Sequence, residues 1–481
     1  MKRRRNADTN RNHSIDRLPG NPSQIGPPLD PSASGQQIPN NMLFEFVNPN
    51  SLRPYPGNPH KHPKQQIEHI RASIRANRVV RPILTDEDGI IIDGEAVWRA
   101  AILEGLTSIP IVRLFGLSET QKRELRIGLN KHPLNADWDV EQLRLEIQAI
   151  LEVHVDLDPG EIGMSVGEID KLLIAGETDP ADDTIPALAA RPTSRAGDIW
   201  ICRDQQGRDQ HRIGCGDCCD LSFLRRVVGP HLIDCGMTDP PYNRRITGGA
   251  TAGRGRVRHP EFLMASGDMS DEVFERFLEG ALDGFAKVSR NGAVHFVFMD
   301  HQHVDVLLAV GKRVYSQRLN LCVWNKSNAG LGGLYRSKFE IVAVFKVGDA
   351  PYFNAVQLGK YGRNRTNVWD YPSVNTFGGS RRRDLELHPT VKPTGLFADA
   401  IADVTQRGDL VLDGFLGSGT CLLACERTGR LCRGIEINPL YVDLALQRWT
   451  ERTGMDAILE PTGQTFSQVR AERLSGETGN G

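Results

Sequence analysis

The chain has 481 residues, of which 39% are hydrophobic and 25% charged, and its formal net charge is −2. This length predicts two or three compact domains, and the near-neutral charge excludes a protein that is basic over its whole surface. The sequence contains no apolar stretch of the roughly 18 to 20 residues that span a bilayer, and no apolar segment follows the basic cluster at residues 2–5. We therefore expect a cytoplasmic protein with no membrane partner.

The N-terminal part predicts a disordered tail and then a small α+β domain over residues 42–175. Residues 1–41 are rich in Asn, Pro, Ser and Gly, and such a segment buries too little apolar surface to order itself. Apolar periodicity then predicts helices at 65–77 and 95–104, strands at 82–85, 90–93 and 109–112, and helical structure over 118–174. The polar segment 176–195 is typical of a linker, at which we expect the chain to be separable.

Residues 196–458 alternate strand and helix patterns. Predicted strands lie at 293–299, 319–324, 341–346, 410–413 and 432–437, and predicted helices at 271–288, 396–405 and 441–452. This alternation predicts an α/β domain with a mostly parallel sheet covered by helices. The polar residues 459–481 are expected to form a flexible tail.

The cysteines give no clear metal site. Cys215, Cys218 and Cys219 look like half of a zinc site, but no second Cys or His pair with ligand spacing accompanies them. We expect reduced thiols and no bound metal.

A glycine-rich turn lies near the C-terminus. The apolar strand ending at Asp413 runs into Gly414, Phe415, Leu416, Gly417, Ser418 and Gly419, and a helix starts at about Thr420. Glycines let the backbone approach a ligand closely and adopt positive φ. Glu436, near the end of the next predicted strand, can accept hydrogen bonds from both hydroxyls of a ribose. NAD, FAD and S-adenosylmethionine all bind such units, and a purely structural turn has the same pattern.

A second motif, Asp239-Pro240-Pro241-Tyr242, follows a short apolar stretch at 232–235. An amino group on a base is a poor nucleophile, because its lone pair is delocalised into the ring. The Asp239 carboxylate and the Pro240 carbonyl can accept both amino hydrogens and favour a pyramidal nitrogen. Consecutive prolines stiffen the loop, and Tyr242 offers a flat face on which an extruded base can stack.

The tetrapeptide at 239–242 together with the segment Phe415 to Thr420 resembles the amino-methyltransferase family of DNA-modifying enzymes, in the motif order of its beta class. The resemblance spans about 197–454 and implies a Rossmann-like, S-adenosylmethionine-dependent methyltransferase sheet with circularly permuted motifs. It implies Asp239, Pro240, Pro241 and Tyr242 as catalytic residues. The residues that it implies for cofactor binding are Asp217, Lys392, Asp413, Phe415, Gly417, Ser418, Gly419, Thr420 and Glu436. Gly414 departs from the proline usual in the family, which we expect to loosen the loop without removing a contact.

The expected activity is site-specific methylation of the exocyclic amino group of adenine in double-stranded DNA, by base flipping. Family members that modify the cytosine amino group more often begin the tetrapeptide with serine, so Asp239 favours adenine. Methylation of the cytosine amino group remains an alternative. A partition adaptor with a secondary methyltransferase unit is another, and a nicotinamide-dependent oxidoreductase would have no use for this tetrapeptide. A second copy of the chain and a cognate restriction nuclease are open as partners.

Two basic stretches are the candidate DNA contacts. The family resemblance puts target recognition at about 327–387, where arginines can grip phosphates or read guanine edges and aromatic side chains can stack. The second stretch, 244–260, holds arginines and glycines without acids and is typical of a mobile loop that closes over DNA. The predicted DNA-binding residues are Arg254, Arg256, Arg258, Arg336, Lys338, Arg363, Arg365, Arg381, Arg382 and Arg383.

The N-terminal domain resembles a ParB-like domain. The residues that carry this resemblance are Asn58-Pro59, Pro82-Ile83, Gly94-Glu95 and Trp98-Arg99-Ala100. ParB partition proteins have arginines for nucleotide phosphates where this chain has Ala96 and Val97. We therefore expect a DNA-binding or scaffolding role for this domain rather than nucleotide binding.

Overall fold

The computed structural model describes residues 41–58, 61–135, 138–154, 157–174, 183, 185–243, 268–327, 334–356, 365–372 and 392–475. The chain divides into two compact units, one of Met1–Lys61 and Val79–His132 and the other of His62–Arg78 and Pro133–Gly481. Among the described residues, no helix combines the length and apolar character needed to cross a membrane.

The strands, in chain order, are β1 (Met42–Val47), β2 (Ile83–Thr85), β3 (Ile91–Asp93), β4 (Ile109–Leu114), β5 (Ile199–Arg203), β6 (Asp209–Cys215), β7 (Ile233–Thr238), β8 (Ser289–Met299), β9 (Gln317–Lys326), β10 (Phe339–Lys346), β11 (Val368–Tyr371), β12 (Leu410–Asp413), β13 (Leu431–Glu436) and β14 (Ile458–Leu459). The α-helices are α1 (Lys64–Asn77), α2 (Glu95–Leu103), α3 (Glu119–Lys131), α4 (Val140–Val153), α5 (Val166–Ile174), α6 (Leu221–Val228), α7 (Asp271–Lys287), α8 (Val304–Val314), α9 (Thr394–Val404), α10 (Thr420–Thr428), α11 (Pro439–Thr453) and α12 (Phe466–Ser475).

The smaller unit is a four-stranded sheet in the order β1-β4-β2-β3, with α2 and α3. Its predicted strands are present, and β1, which sequence reasoning did not predict, pairs antiparallel with β4 at the edge of the sheet. Ile83, Ile109 and Ile111 are fully buried in its core. Helix α3 begins at a capping box, because the side chains of Ser118 and Gln121 each bond the other's backbone N–H.

The larger unit contains ten described strands in the order β11-β9-β10-β8-β7-β12-β13-β6-β5-β14. Strands β8, β7, β12, β13 and β6 run parallel, and antiparallel strands flank them on both sides. Two buried clusters cover the sheet: Val411 belongs to one, and Leu410 and Leu412 belong to the other. Because successive strand residues point to opposite faces, the central strands are buried on both sides. The predicted mostly parallel α/β fold is confirmed.

The boundary between the units differs from the prediction. We expected one domain over 42–175 and a separable linker over 176–195. In the structure α1, α4 and α5 belong to the larger unit. The guanidinium of Arg430 pairs with the carboxylate of Asp170 in α5 at 2.8 Å, and both side chains are buried. The end of the predicted linker also packs into the fold, since the backbone N–H groups of Thr193 and Ser194 donate to the Asp443 carboxylate.

Candidate active site

The predicted catalytic and cofactor residues meet at one edge of the larger sheet. Asp239 directly follows β7, Asp413 ends β12, Glu436 ends β13 and Asp217 lies just past the end of β6. These four strands are neighbours and run parallel, so their carboxyl ends share an edge. Ligands of open α/β sheets bind at this edge, next to the point where strand order reverses. Here that point lies between β7 and β12.

The glycine-rich turn connects β12 to α10. Gly417 and Gly419 both adopt positive φ, +52° and +88°, a conformation that side chains disfavour. A Cβ atom at Gly419 would lie 2.8 Å from the Ala445 Cβ, so this glycine lets α11 approach closely. A Cβ at Gly417 would meet nothing nearer than the Phe415 carbonyl oxygen at 3.9 Å. The backbone at Gly417 is therefore open on the side where a ligand would approach.

Two side chains fix the shape of this turn. The Glu436 carboxylate accepts the backbone N–H groups of Gly417 and Asn438, each at 2.8 Å. The guanidinium of the buried Arg448 donates to the Ser418 carbonyl at 2.5 Å. Burial raises the pKa of Glu436 above its ordinary value, and the two backbone N–H groups partly oppose that shift. Each carboxylate oxygen keeps a second lone pair, so Glu436 can still accept ribose hydroxyls.

Gly414 stands where the family usually has proline, and a side chain of α7 gives a steric reason for the glycine. A Cβ atom at this position would lie 2.0 Å from Cζ of Phe285, an overlap that no side chain tolerates. The ring of Phe285 is almost fully buried and makes an edge contact with the ring of Phe415, with centroids 6.2 Å apart. Proline would therefore displace Phe285 here. The glycine accommodates that ring, a reason that the sequence did not reveal.

A hydrogen bond connects the residue before the tetrapeptide to the residue before the glycine-rich turn. The hydroxyl of Thr238, the last residue of β7, donates to Asp413 Oδ1 at 3.1 Å. The same oxygen accepts the backbone N–H of Phe415 at 3.1 Å. Asp413 is buried, and burial raises its pKa well above the usual range. The strand end before Asp239 and the start of the glycine turn are thus held together through one side chain.

Lys392, which we expect to contact the cofactor, also has protein partners in the structure. Its ammonium donates to Asp239 Oδ2 at 2.5 Å. It also pairs with Glu340 Oε2 at 3.1 Å. The rings of Tyr242, Phe298 and Trp324 surround it, with centroids 5.4 to 6.0 Å from Nζ. Lys392 is therefore part of the surroundings of the tetrapeptide.

Glu340 and Lys326 complete this cluster, and sequence reasoning missed both. Glu340 lies at the start of β10 and Lys326 at the end of β9, so the register of the two antiparallel strands brings them together. Their side chains form an ion pair. The Tyr242 hydroxyl donates to Asp239 Oδ1 at 2.5 Å and lies 3.1 Å from Glu340 Oε2. An acidic residue at the edge of an otherwise apolar strand was the signal available in the sequence.

The pKa values in the cluster follow its burial and its charges. Burial raises the pKa of Asp239; Lys392 opposes this shift and Glu340 adds to it. Burial also disfavours the ionised form of Glu340, but Lys392 and Lys326 outweigh it and lower the pKa of Glu340 to about 2. Burial raises the pKa of Tyr242 far above its ordinary value, so the phenol keeps its proton. Glu340 is therefore a fixed negative charge beside Asp239.

The predicted DNA-binding residues fall into three groups. Arg336 and Lys338 are exposed just before β10, at the sheet edge that carries Asp239. Arg365 instead pairs with Asp399 and Asp403 at 3.0 and 2.9 Å, so its guanidinium is used inside the protein and we no longer place it at DNA. The remaining seven lie outside the described residues: Arg254, Arg256, Arg258, Arg363, Arg381, Arg382 and Arg383.

The ParB-like residues of the smaller unit contact one another. Asn58 Nδ2 donates to Glu95 Oε2 at 2.6 Å, and Arg99 pairs with Glu95 Oε1 at 2.5 Å. The indole N–H of Trp98 donates to the Pro49 carbonyl at 2.8 Å. Glu95 is buried at the start of α2, so these contacts hold the helix to the chain before it. Pro59 lies outside the described residues.

The fold and the site define a methyltransferase of the S-adenosylmethionine-dependent class. Residues 233–447 match the family described as DNA methylase, of the N6/N4 type. The matched residues make up a little under half of the chain, and over them the chain is similar to that family.

Individual proteins resemble parts of the chain. A Type II methyltransferase of Haemophilus parainfluenzae, M.HpaI, is 26% identical over 243 residues, which are 47% of this chain and 72% of that protein. The solved structure of the PvuII DNA methyltransferase, described as cytosine-N4-specific, aligns with 60% of this chain over 97% of its own length. The identity is 16% and the TM-score is 0.40. The solved structure of the chromosome-partitioning protein ParB from Caulobacter crescentus aligns with 29% of this chain over 81% of its own length. The identity is 23% and the TM-score is 0.25.

The residues at the sheet edge fit the methyl donor of this class. The open backbone face at Gly417 accepts a ligand that a Cβ atom would exclude. Glu436 is anchored by backbone N–H groups and directs acceptors to the same place, while Phe415 lies partly exposed beside it. Asp217 lies two residues past Cys215, which pairs with Glu436 where β6 and β13 end, and its carboxylate accepts the backbone N–H of Cys219 at 2.9 Å.

Proposed function

We propose that this protein methylates the exocyclic amino group of adenine in double-stranded DNA, after flipping the base out of the helix. The observation that carries the proposal is the position of Asp239 and Tyr242 at the end of β7, beside the glycine turn on β12. This places an acceptor for amino hydrogens and an aromatic face next to the cofactor turn. A flipped base can be stacked and hydrogen-bonded there.

The residues of the tetrapeptide prepare the amino group for reaction. S-adenosylmethionine, when bound, supplies an electrophilic methyl group on a sulfonium sulfur. The Asp239 carboxylate and the Pro240 carbonyl accept the two amino hydrogens, which favours a pyramidal nitrogen with its lone pair turned toward the glycine turn. As the nitrogen took the methyl group, the methyl carbon–sulfur bond would break, its electron pair would stay on sulfur as a neutral thioether, and positive charge would pass to the nitrogen. The Asp239 carboxylate stabilises this charge and then takes the proton that the nitrogen loses.

Adenine is proposed as the target because the tetrapeptide begins with aspartate. A carboxylate accepts the amino hydrogen more strongly than a serine hydroxyl, since a charged acceptor makes the shorter and stronger bond. Asp239 is held beside the ammonium of Lys392, which favours its ionised form. The same geometry would also accept a cytosine amino group, so the product decides between the two bases.

We propose that DNA approaches along the sheet edge that carries Asp239. Arg336 and Lys338 are exposed there, and the neighbouring Tyr335 is 82% exposed, as a side chain that stacks on or wedges between bases would be. The predicted loop 244–260 begins directly after Asn243. The side chain of Asn243 hydrogen-bonds both the N–H and the carbonyl of Met269, so the two flanks of that segment meet beside the tetrapeptide.

We propose that the smaller unit acts as a DNA-contacting or scaffolding module. It holds none of the residues assigned to methyl transfer. A second DNA contact on the same chain would raise the effective concentration of the methyltransferase at its site without altering the chemical step.

The decisive experiment identifies the modified base. PCR-made duplex DNA is incubated with the full-length protein and S-adenosylmethionine labelled in its methyl group, then digested to nucleosides and resolved by mass. We expect N6-methyladenine as the labelled product. Label in methylcytosine would overturn the base assignment, and label in no nucleoside would overturn the activity itself.

A further inference from the structure

Each carboxylate oxygen of Asp239 already accepts one strong hydrogen bond in this structure, although each keeps a second lone pair. The Tyr242 hydroxyl donates to Oδ1 and the Lys392 ammonium donates to Oδ2, each at 2.5 Å. These are short, charge-assisted contacts, and they draw electron density from the carboxylate. An Asp239 so engaged is a weaker acceptor for an incoming amino group. The contacts that shape the site at rest therefore compete with its proposed substrate.

Glu340 offers a second acceptor to the same two donors. Its Oε2 atom lies 3.1 Å from the Tyr242 hydroxyl and 3.1 Å from the Lys392 ammonium. The hydroxyl has a single proton, which it can donate to only one carboxylate at a time. Both donors thus lie between two carboxylates, and both are closer to Asp239 than to Glu340. Movements of well under 1 Å would reverse this preference.

Lys326 keeps Glu340 able to act as that acceptor. It pairs with Oε1 of Glu340, while Tyr242 and Lys392 approach Oε2. The cluster contains two carboxylates and two ammonium groups, so it is balanced in charge and needs no further counter-ion. Transferring the donors from one carboxylate to the other leaves this balance unchanged. The exchange therefore does not require a proton from solvent.

We infer that Glu340 is a positioning residue that takes over the hydrogen bonds of Tyr242 and Lys392 when the target base enters, and so frees Asp239 to accept its amino hydrogen. This inference rests on the proposed function, because the exchange matters only if Asp239 contacts a base amino group. Glu340 itself contacts neither the base nor the reacting atoms. It acts by relieving Asp239 of the two donors that weaken it.

The test is a double-mutant cycle on the full-length protein with PCR-made DNA. The variants are Glu340→Gln, Glu340→Asp, Tyr242→Phe and the combined Glu340→Gln with Tyr242→Phe. Single-turnover rate constants are measured at saturating DNA and S-adenosylmethionine, and the cofactor Kd is measured by calorimetry. Glu279→Gln, which removes a charge from an exposed ion pair with Arg313 on the surface of α7, is the matched control.

We expect Glu340→Gln to slow the single-turnover rate about tenfold or more, as the loss of one hydrogen bond to a charged group would. The cofactor Kd should change less than about twofold, because Glu340 does not line the glycine turn. Glu340→Asp keeps the charge on a shorter side chain, so its single-turnover rate should lie between the rates of wild type and Glu340→Gln. Glu279→Gln should have the wild-type rate and the wild-type cofactor Kd.

The combined variant separates partner exchange from a structural role. Without Glu340 the Tyr242 hydroxyl stays on Asp239, so removing that hydroxyl should make Glu340→Gln faster, by about threefold or more. A combined variant no faster than Glu340→Gln would overturn the inference, as would a Glu340→Gln rate within twofold of wild type. If Glu340→Gln fails to fold by circular dichroism, the same comparison in the Glu340→Asp background decides.

The outcomes distinguish this inference from the proposed function. A wild-type protein that labels cytosine overturns the choice of adenine but leaves the cycle valid, because the same carboxylate would accept the cytosine amino hydrogens. A wild-type protein that labels no base overturns the proposed function and this inference together. A wild-type protein that labels adenine, with no recovery in the combined variant, overturns the inference alone.

Discussion

Asp170 and Arg430 form a bidentate ion pair across 260 positions of the sequence, with hydrogen bonds of 2.9 and 2.8 Å. The guanidinium also donates to the carbonyls of Thr405 and Thr428 and, through Nε, to the Thr405 hydroxyl, so its three remaining protons are used as well. The side chains of Arg430 and Asp170 are 0% and 1% exposed. A helix that precedes the methyltransferase sheet thus supplies the only charge partner that the structure shows for Arg430 among the described residues.

Asp170→Ala should lower the free energy of unfolding of the larger unit by about 3 to 5 kcal/mol, because it leaves a buried guanidinium without a counter-charge. Urea unfolding measures this change. Asp209→Ala breaks the exposed pair with Arg203 and should cost no more than about 1 kcal/mol. Equal effects of the two substitutions would mean that Arg430 is not stabilised by Asp170. For the same reason, a fragment starting near residue 190 should be less stable than the full chain.

The difference between the predicted and observed unit boundary has a physical origin. Composition marks 176–195 as a linker because polar and small residues prevail there. Among the described residues, the ion pair of Asp170 with Arg430 joins α5 to the sheet domain, and periodicity cannot show which distant residue a buried charge will meet. By contrast, the strand that ends at Asp413 was predicted with the observed bounds. Its apolar run and the glycine after it are both local signals.

Asp239→Ala should reduce the single-turnover rate by about a hundredfold or more, while the cofactor Kd stays within about threefold. Lys392 keeps Glu340 as a partner, but the cluster is left with two ammonium groups and one carboxylate, so circular dichroism first establishes that the variant folds. Measurement combines quench-flow methylation with calorimetry. A rate within tenfold of wild type would remove Asp239 from the catalytic step.

The rate should also fall in acid at a higher pH than an ordinary aspartate would give. Only the ionised carboxylate can accept the amino hydrogen strongly and then take the proton, and burial raises the pKa of Asp239 above its usual value of about 3.9. As the pH falls through this raised value, Asp239 is protonated and activity is lost. Glu340, with its pKa lowered to about 2, stays charged over that range. A pH profile flat down to pH 4 would contradict this ordering.

Glu436→Ala should weaken binding of S-adenosylmethionine by about 1.5 to 3 kcal/mol, since a ribose would lose a charged acceptor. The loss of the hydrogen bond to Gly417 should add to the effect. Calorimetry on the full chain gives the dissociation constant. Glu451→Ala, at an exposed position on α11, is the control and should leave the constant unchanged. An unchanged constant for Glu436→Ala would place the ribose elsewhere.

Replacing Arg254, Arg256 and Arg258 together by alanine should weaken DNA binding and flatten its salt dependence. Each lost phosphate contact should reduce the slope of log affinity against log salt by about 0.9. Fluorescence anisotropy at several salt concentrations measures the slope. Arg203→Ala combined with Arg208→Ala, on the β5–β6 hairpin, removes exposed charge away from the site. If the slopes of the two variants coincide, the 244–260 loop does not contact phosphates.

The site was predictable as far as its residues form contiguous motifs. The tetrapeptide and the glycine-rich turn directly follow their strands, and Glu436 is the last residue of its strand. These positions relative to apolar runs can be read from the sequence. Glu340 and Lys326 carry no motif, and only the pairing of β9 with β10 brings them to Asp239. The motif that contains Lys392 did not predict its contacts with Asp239 and Glu340, because a motif gives the position of a lysine and not the atoms that its ammonium will bind.

Gly414→Ala should destabilise the larger unit by about 1 to 3 kcal/mol through overpacking, because the new Cβ would overlap the ring of Phe285. It should also weaken cofactor binding, since a displaced Phe285 pushes on Phe415, which packs against it in the cofactor turn. Thermal unfolding and calorimetry measure the two effects. Gly280→Ala lies on the same helix as Phe285 with open space around its Cβ, and should be neutral or slightly stabilising.

The overlap can be tested directly by shrinking the ring. Phe285→Ala alone should cost about 3 to 5 kcal/mol, because it leaves a cavity in the core. Added to that variant, Gly414→Ala should cost at least about 1 kcal/mol less than it does alone, since the side chain it would strike is gone. If the free-energy costs of the two substitutions were additive, the ring of Phe285 would not be the reason for a glycine at position 414. The reason for this departure from the family would then have to be sought in the conformation of the loop itself.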